Sequence, residues 1–464
     1  MNRADTMFME AIMPDLDGLL ALVDSRREEI VSLEQALIHI PSVNTGFMPT
    51  GNETEVCDYI RQELSRDGIQ SEILEAVQGR GNIIARLEGR SGKAGLMFMS
   101  HTDVVPVGDE SKWRFPPFSA TIDGNRIYGR GAADCKGLLT AQLMAIRLLK
   151  RSGIELIDSL VLASGADEEH GGRYGFEWLA QHHPEKISAP FAVNEGGGVP
   201  IKVGGGFAYV LGIGEKGRLQ VEIEIQGASA HASVPWRGTN ALYPLAQVLR
   251  RIEEYEPERD TSSEVFQHLS DFAIEDMVSP GNIDDIIAEM EPDNPQLALV
   301  LRALSRMTIT PTMVQGGAKS NSVPESIRLT CDVRTLPHQD EDYLRRQLDQ
   351  VLEGIPGVEF QIDYMAVPNS SPFETEFAQH IRTATAHALG LNNVQLVPSI
   401  STGFTDSRFT RPLGVITYGF SGSHPDDDPA LSYAHGTNES IGIKSLMNST
   451  KVMLSLAYEL LVIR

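Results

Sequence analysis

The stretch GLMFMSHTDVVPVG, Gly95 to Gly108, is a short, uniformly apolar run that ends abruptly in His101 and, two residues on, Asp103. A run this short with no polar alternation reads as a strand covered on both faces, as in a parallel sheet flanked by helices. Comparable runs recur at Asn82 to Leu87, Leu160 to Ser164 and Phe191 to Asn194, separated by segments of helical spacing. Residues 15 to 40 and Thr54 to Ser65 carry Leu, Ile and Val at three- and four-residue intervals and predict helices. Lys136 to Ser152, rich in Leu and Ala and closed by Gly153, predicts the clearest crossover helix. The alternation is that of an α/β fold with a mostly parallel sheet.

The pattern changes near Gly217. Leu219, Val221, Ile223 and Ile225 alternate with Gln220, Glu222 and Glu224, which describes a strand with one wet face. A helix over Asn240 to Glu254, strands over Met307 to Met313 and Ser326 to Arg334, a helix over Glu341 to Glu353 and a strand over Val358 to Tyr364 follow. These predict a small α+β domain, 216–367, inserted into a discontinuous larger one, 1–215 and 368–464, where Gly414 to Phe420 reads as a late strand. The acidic segment 256–306, with a helical patch at Leu297 to Leu304, falls inside the insert and reads as its elaboration.

A chain of 464 residues exceeds what one core ordinarily supports, which agrees with two domains. Its net charge of -24 disfavours nucleic acid and anionic membranes as partners, because their phosphates would be repelled. Apolar runs all fall short of the ~18 residues of a membrane span, so the expected location is cytoplasmic. Cys57, Cys135 and Cys331 are too scattered for a disulfide framework or a cysteine zinc site. Cys331 alternates with apolar neighbours and reads as core, and Cys135 as a small neighbour of a ligand rather than a nucleophile.

Open α/β sheets place ligands at the carboxyl ends of their strands. His101 and Asp103 stand at one such end, Asp167, Glu168 and Glu169 at the next, and Glu195, followed by three glycines, at a third. Asp134 opens a helix after the turn Gly129-Arg130-Gly131. Any one of these alone reads equally well as a solvated acidic turn; together they suit divalent metals. A two-metal site needs a shared carboxylate, a histidine and a carboxylate for each ion, and a nearby base. The second histidine is sought late in the chain, where His435 in YAHGTNE competes with His424 in a loop rich in proline and aspartate.

With SHTDVVPVG, YGRGAADCKG, DEE, NEGGG, GASAHASVP, GFTDSR and HGTNE in this order, the chain resembles the M20 metallopeptidase and amidohydrolase family over nearly its whole length. That resemblance implies a ferredoxin-like lid and dimerisation domain in the insert and two zinc ions per subunit, with manganese or cobalt as alternatives that the same donors suit. It makes Asp134 the bridging ligand, His101 and Glu195 the ligands of one ion, and Glu169 and His435 those of the other. It assigns Glu168 as general base, Asp103 as the group orienting His101, and a cis peptide before Cys135.

The family likeness further implies that His231 stabilises an oxyanion from the lid of a partner subunit in a homodimer. Asn321 and Arg334 would contact substrate from the lid, and Gly403 and Thr405 would line its pocket. An arginine is the residue best shaped to clamp a carboxylate, so the expected substrate is a peptide or N-acyl amino acid with a free carboxylate beside the scissile amide. A surface ion pair is the plain alternative for Arg334. Aminoacylase or deacylase competes with dipeptidase or carboxypeptidase, and a non-catalytic metal-dependent binding protein stands further off because it has no use for Glu168.

Overall fold

The computed structural model describes residues 15–203, 206–272 and 277–462. The chain before residue 15, part of the expected N-terminal organisation, lies outside the described residues. Ten strands form the large sheet. Its centre runs in the order Ser159–Gly165, Ala94–His101, Phe191–Asn194, Ile416–Gly419, all parallel. One margin is antiparallel, Gln70–Glu75 and Gly81–Leu87; on the other, Gly206–Glu215 runs antiparallel to Ile416–Gly419 and Pro200–Val203 and parallel to Gln395–Ser401. The apolar runs of the central strands are buried throughout, as their lack of alternation requires.

Helix Gly137–Ser152 is buried from Gly137 through Leu149 and packs against the last helix, Ile443–Leu461. At ~1.5–3 kcal/mol for each fully buried large aliphatic side chain, this helix is a principal anchor of the domain. The helix expected over residues 15–40 is two, Leu16–Ser25 and Arg27–Ile38, broken at Arg26 with φ -103 and ψ 15. Its apolar spacing continues across the break, which is why the sequence alone merged them.

The insert contains a four-stranded antiparallel sheet in the order Thr308–Gly316, Ser326–Thr335, Gly217–Gln226, Val358–Ala366. Helices Leu242–Glu253 and Glu341–Leu352 bury their apolar stripes against this sheet, in a cluster separate from that of the large sheet. Cys331 lies in the smaller cluster. Segment 256–306 departs from the expectation that it extends the lid. Val265, Phe266, Ile283, Ile287, Leu301 and Leu304 join the apolar cluster of the large sheet instead. Position in the sequence suggested the lid, but the apolar faces of its short helices find their cover across the domain junction. Buried Lys216, at that junction, donates from Nζ to the carbonyls of Ala303 and Arg306 at 2.6 and 2.8 Å.

Candidate metal centre

Three neighbouring central strands present their carboxyl ends side by side. His101 is the last residue of Ala94–His101, Glu195 follows Phe191–Asn194, and Ser159–Gly165 leads through Ala166 and Asp167 into the turn Glu168–His170. Asp134 enters from the loop before Gly137–Ser152, with a cis peptide to Cys135 as the family likeness implied. His435 arrives from the late loop with φ 62.

These side chains converge on the Asp134 carboxylate. Its Oδ1 lies 3.0 Å from His101 Nε2 and its Oδ2 3.0 Å from His435 Nε2. Glu169 Oε2 is 3.0 Å from the same His435 nitrogen, and Glu195 Oε1 is 3.5 Å from His101 Nε2. The result is two imidazole–carboxylate pairs sharing one carboxylate. Ligand atoms of His101, Asp134 and Glu169 fall within 4.8 Å of one another, and Glu169 Oε1 is buried with no hydrogen-bond partner. A mixed nitrogen and oxygen donor set with an unsatisfied buried carboxylate oxygen fits divalent cations. Cys135, 1% exposed, is also within ligand distance of His101 and Glu195. Its sulfur accepts from the His101 N–H at 3.2 Å, and burial pushes the thiol above its usual range. His424 lies apart from the cluster, beside Asp426 and Lys444, which leaves the second imidazole to His435.

The electrostatics agree with cation binding. Burial alone would depress the His101 imidazole, but Cys135, Glu195, Asp103 and Asp134 together push it well above its ordinary value. Hydrogen bonds to Asp134 and Glu169 push His435 up to about 10. Burial would raise Asp134, yet its bonds to both histidines hold it well below the usual carboxylate range. Burial pushes Glu169 up to about 7. Each imidazole is thus held by carboxylates that a divalent cation can serve in place of a proton. Glu168 is buried, and burial followed by the Glu195 charge pushes its carboxyl well above the ordinary range. Such a shift makes the carboxylate a stronger proton acceptor than a solvated glutamate, in the direction that acid–base chemistry needs.

The supports are more extensive than sequence reasoning found. Asp103 faces His101 Nδ1 with its backbone carbonyl at 3.0 Å and its carboxylate Oδ1 at 3.4 Å. Its carboxylate accepts the backbone N–H groups of Glu168 and Glu169 at 3.1 and 3.2 Å, fixing the turn that carries both glutamates. Asn44 donates from Nδ2 to Asp103 and to Asp167, each at 2.9 Å, and Arg80 ties Asp167 to Glu53. Glu439 accepts the N–H groups of Ala133 and Asp134 at 2.9 and 3.0 Å, that of Gly131 at 3.1 Å, and Arg130 Nη1 at 2.5 Å. Motif HGTNE contains this glutamate, but no local pattern tells that its carboxylate reaches back three hundred residues. Asp406, within GFTDSR, is buried with both carboxyl oxygens unpartnered, and burial pushes it well above its usual range.

The expected substrate contacts are more dispersed. His231 is exposed on the lid, where Ser233 N–H donates to its Nδ1 at 3.2 Å and Ser233 Oγ lies 2.7 Å from the same atom. An accepting Nδ1 leaves the proton on Nε2. Asn321 is exposed nearby and its carbonyl accepts the Ala232 N–H at 2.9 Å. Arg334 pairs through Nε with Asp332 at 2.7 Å and reaches from the lid to the Thr402 carbonyl at 2.8 Å. Gly403 N–H bonds Ser401 Oγ at 3.0 Å. Thr405 is turned inward, its hydroxyl donating to Glu215 at 2.5 Å. Its side chain therefore supports the loop, and the short sequence motif could not separate lining from support.

Two imidazole–carboxylate pairs on a shared carboxylate, beside a buried protonatable glutamate, define a metal-dependent hydrolase. The model of Peptidase family M20/M25/M40 matches residues 97–459, and the chain belongs to that family, whose members hydrolyse peptides or N-acyl amino acids. A probable succinyl-diaminopimelate desuccinylase of Staphylococcus aureus is 26% identical over 314 residues, covering 67% of this chain and 71% of the relative. The N-fatty-acyl-amino acid synthase/hydrolase PM20D1 of Xenopus tropicalis is 27% identical over 457 residues, 92% of this chain and 84% of the relative. Among solved structures, an M20 family metallo-carboxypeptidase from Sulfolobus solfataricus superposes with a TM-score of 0.71 at 22% identity, covering 92% of this chain and 98% of that one. Human carnosine dipeptidase 1 gives 0.66 at 15%, covering 96% and 99%. These two show the shared fold. Among the described residues, no helix is long and apolar enough to cross a membrane.

Proposed function

We propose that this chain is a dinuclear zinc amidohydrolase that releases the free amino acid from N-acyl amino acids. The observation that carries the reading is Asp134, with each carboxylate oxygen 3.0 Å from a different histidine. His101 with Glu195, and His435 with Glu169, would hold one ion each and share Asp134. When bound, the cations polarise the amide carbonyl and bring the pKa of water toward neutrality. Glu168 takes the proton of the attacking water and delivers it to the amide nitrogen as the C–N bond breaks. Its burial favours the neutral form, so the proton is retained between the two transfers. The Asp103 carboxylate holds the Glu168 backbone in place through both transfers.

His231 presents an Nε2–H from the lid, suited to the oxyanion of the tetrahedral intermediate. In this reading it serves the partner subunit of a homodimer. Support for self-association comes from the lid's edge strand Thr308–Gly316, which exposes Met313 and Val314. Arg334, which bridges the lid to the 401–406 loop, would exchange its Thr402 contact for the substrate carboxylate. The two apolar clusters support domains of 1–215 with 368–464 and of 216–367, with segment 256–306 docked onto the former. Choosing acyl amino acids over peptides rests on the two sequence relatives, whose names both describe such substrates.

The test is Glu168→Gln. It is expected to keep two metals per subunit by elemental analysis while kcat for N-acyl amino acids falls by at least ~10². A variant with near-normal kcat would remove Glu168 from the mechanism, and wild-type protein that cleaves dipeptides but no acyl amino acid would overturn the substrate class.

A further inference from the structure

A cavity of about 480 Å³ opens beside Asp134 and Glu195, and its composition differs from the rest of the polar centre. The side chains of Leu138, Val199, Ile201, Val210 and Ile441 line it. They come from the crossover helix, the loop after Glu195, the marginal strands Pro200–Val203 and Gly206–Glu215, and the short strand Ser440–Gly442. His231, Arg334 and the residues 401–406 are not part of its wall, so it is separate from the lid groups assigned to the carboxylate of the amino acid. The far wall is polar, but its cation is engaged. Arg126 is paired with Asp427 and donates from Nε to Ser440 Oγ at 2.9 Å and from Nη2 to the Ser440 carbonyl at 3.1 Å. Asp427 also accepts from Ser445 Oγ at 2.7 Å. Asp428 adds a further negative charge to the lining.

We propose that this cavity receives the acyl chain of the substrate and selects uncharged, apolar chains of several carbons over acetyl and over acyl groups ending in a carboxylate. This rests on the reading that the chain cleaves N-acyl amino acids, and it distinguishes between the substrate classes that its relatives' names suggest. An alkyl chain reaching from a carbonyl at Asp134 and Glu195 meets aliphatic side chains and leaves water. A succinyl chain would bring a second carboxylate among Asp134, Glu195, Asp427 and Asp428 with no unpaired cation among the described residues of the wall to receive it. Burying that charge unpaired carries a desolvation cost that an alkyl chain avoids. Each buried methylene gains about 0.8 kcal/mol, which is about fourfold in kcat/KM.

The experiment measures kcat/KM for acetyl, butanoyl, hexanoyl, octanoyl and succinyl derivatives of one amino acid with zinc-loaded enzyme. The expected result is a rise of about fourfold per methylene from acetyl upward, with succinyl at least tenfold below butanoyl. Ile201→Trp, which fills the cavity from a partly exposed marginal strand, is expected to flatten the chain-length series while acetyl turnover stays within about twofold. Ile201→Lys, which adds a cation, is expected to raise succinyl turnover relative to butanoyl and checks the same wall should the larger residue misfold. A flat series in the wild type, or succinyl equal to butanoyl, overturns the proposal and leaves the amidohydrolase reading standing. Calorimetric binding of N-octanoyl and N-acetyl amino acids to Glu168→Gln separates the two claims. Chain-dependent binding without wild-type turnover supports the cavity and overturns the catalytic reading.

Discussion

Replacing Glu439 by glutamine tests whether Asp134, the proposed bridging ligand, is held from behind. The carboxylate is fully buried, and its two oxygens receive Ala133, Asp134 and Gly131 N–H groups and the Arg130 guanidinium. A glutamine fits the same space but turns an NH2 group toward one pair of these donors. Two hydrogen bonds to a charged acceptor are lost, each worth ~1.5–3 kcal/mol, and Arg130 loses its counter-charge. Burial pushes the Glu439 carboxyl up, so removing its charge returns part of the desolvation cost. The donors left without an acceptor outweigh this, and the net expectation is a loss of about 3–5 kcal/mol. Urea unfolding followed by tryptophan fluorescence suits the measurement, because the Arg130 guanidinium sits 5.3 Å from the ring of Trp113. Since Asp134 is among the residues released, zinc affinity by competition with a chelator should fall ten- to a hundredfold. A Glu439→Gln protein with wild-type stability and wild-type zinc affinity would refute the argument that this carboxylate positions the shared ligand.

Metal binding should strengthen with pH. His435 in the metal-free fold keeps its proton up to about 10 instead of the ordinary 6.5, so protons compete with metal across that window and their release grows easier toward its upper end. By the same linkage, the stability the protonated His435 gives the metal-free fold is full below pH ~6.5 and lost as pH rises toward 10. Zinc titrations in buffers of different ionisation enthalpy should show proton release, and a pH-independent affinity over pH 6.5 to 10 would contradict it. Arg334→Ala should raise KM for N-acyl amino acids far more than for the corresponding acyl amides lacking the carboxylate; equal effects on the two series would leave Arg334 as a bridge between lid and loop only.

Much of the candidate site was legible because each residue that the structure brings together at Asp134 is attached to a local pattern. An apolar run ending in His101 and the glycine-flanked Asp134 and Glu195 can be read without a fold. His435 could be separated from His424 only by its surrounding motif; in the structure the His435 imidazole reaches Asp134 and Glu169, whereas His424 faces Asp426. What stayed hidden was long-range. Neither Asn44 nor Glu439 has a local signature for its role, because each acts on a turn far away in the chain. Segment 256–306 misled for the converse reason: its helices are locally ordinary, and which apolar surface covers them is a property of the junction. Thr405 was read as pocket lining because a hydroxyl in a loop gives no sign of the direction it faces.

The placement of Ile416–Gly419 between Phe191–Asn194 and Gly206–Glu215 has a consequence for biogenesis. Translation passes through the entire lid before this strand is made, roughly 220 residues after Asn194, or ~10–40 s at 5–20 residues per second. During that interval the lid can close its own sheet, while the larger sheet waits with a gap where the fourth of its parallel central strands belongs and with His435 not yet synthesised. A nascent chain is therefore expected to expose apolar strand edges until late, and to acquire its full complement of metal only after nearly all of the polypeptide has left the ribosome.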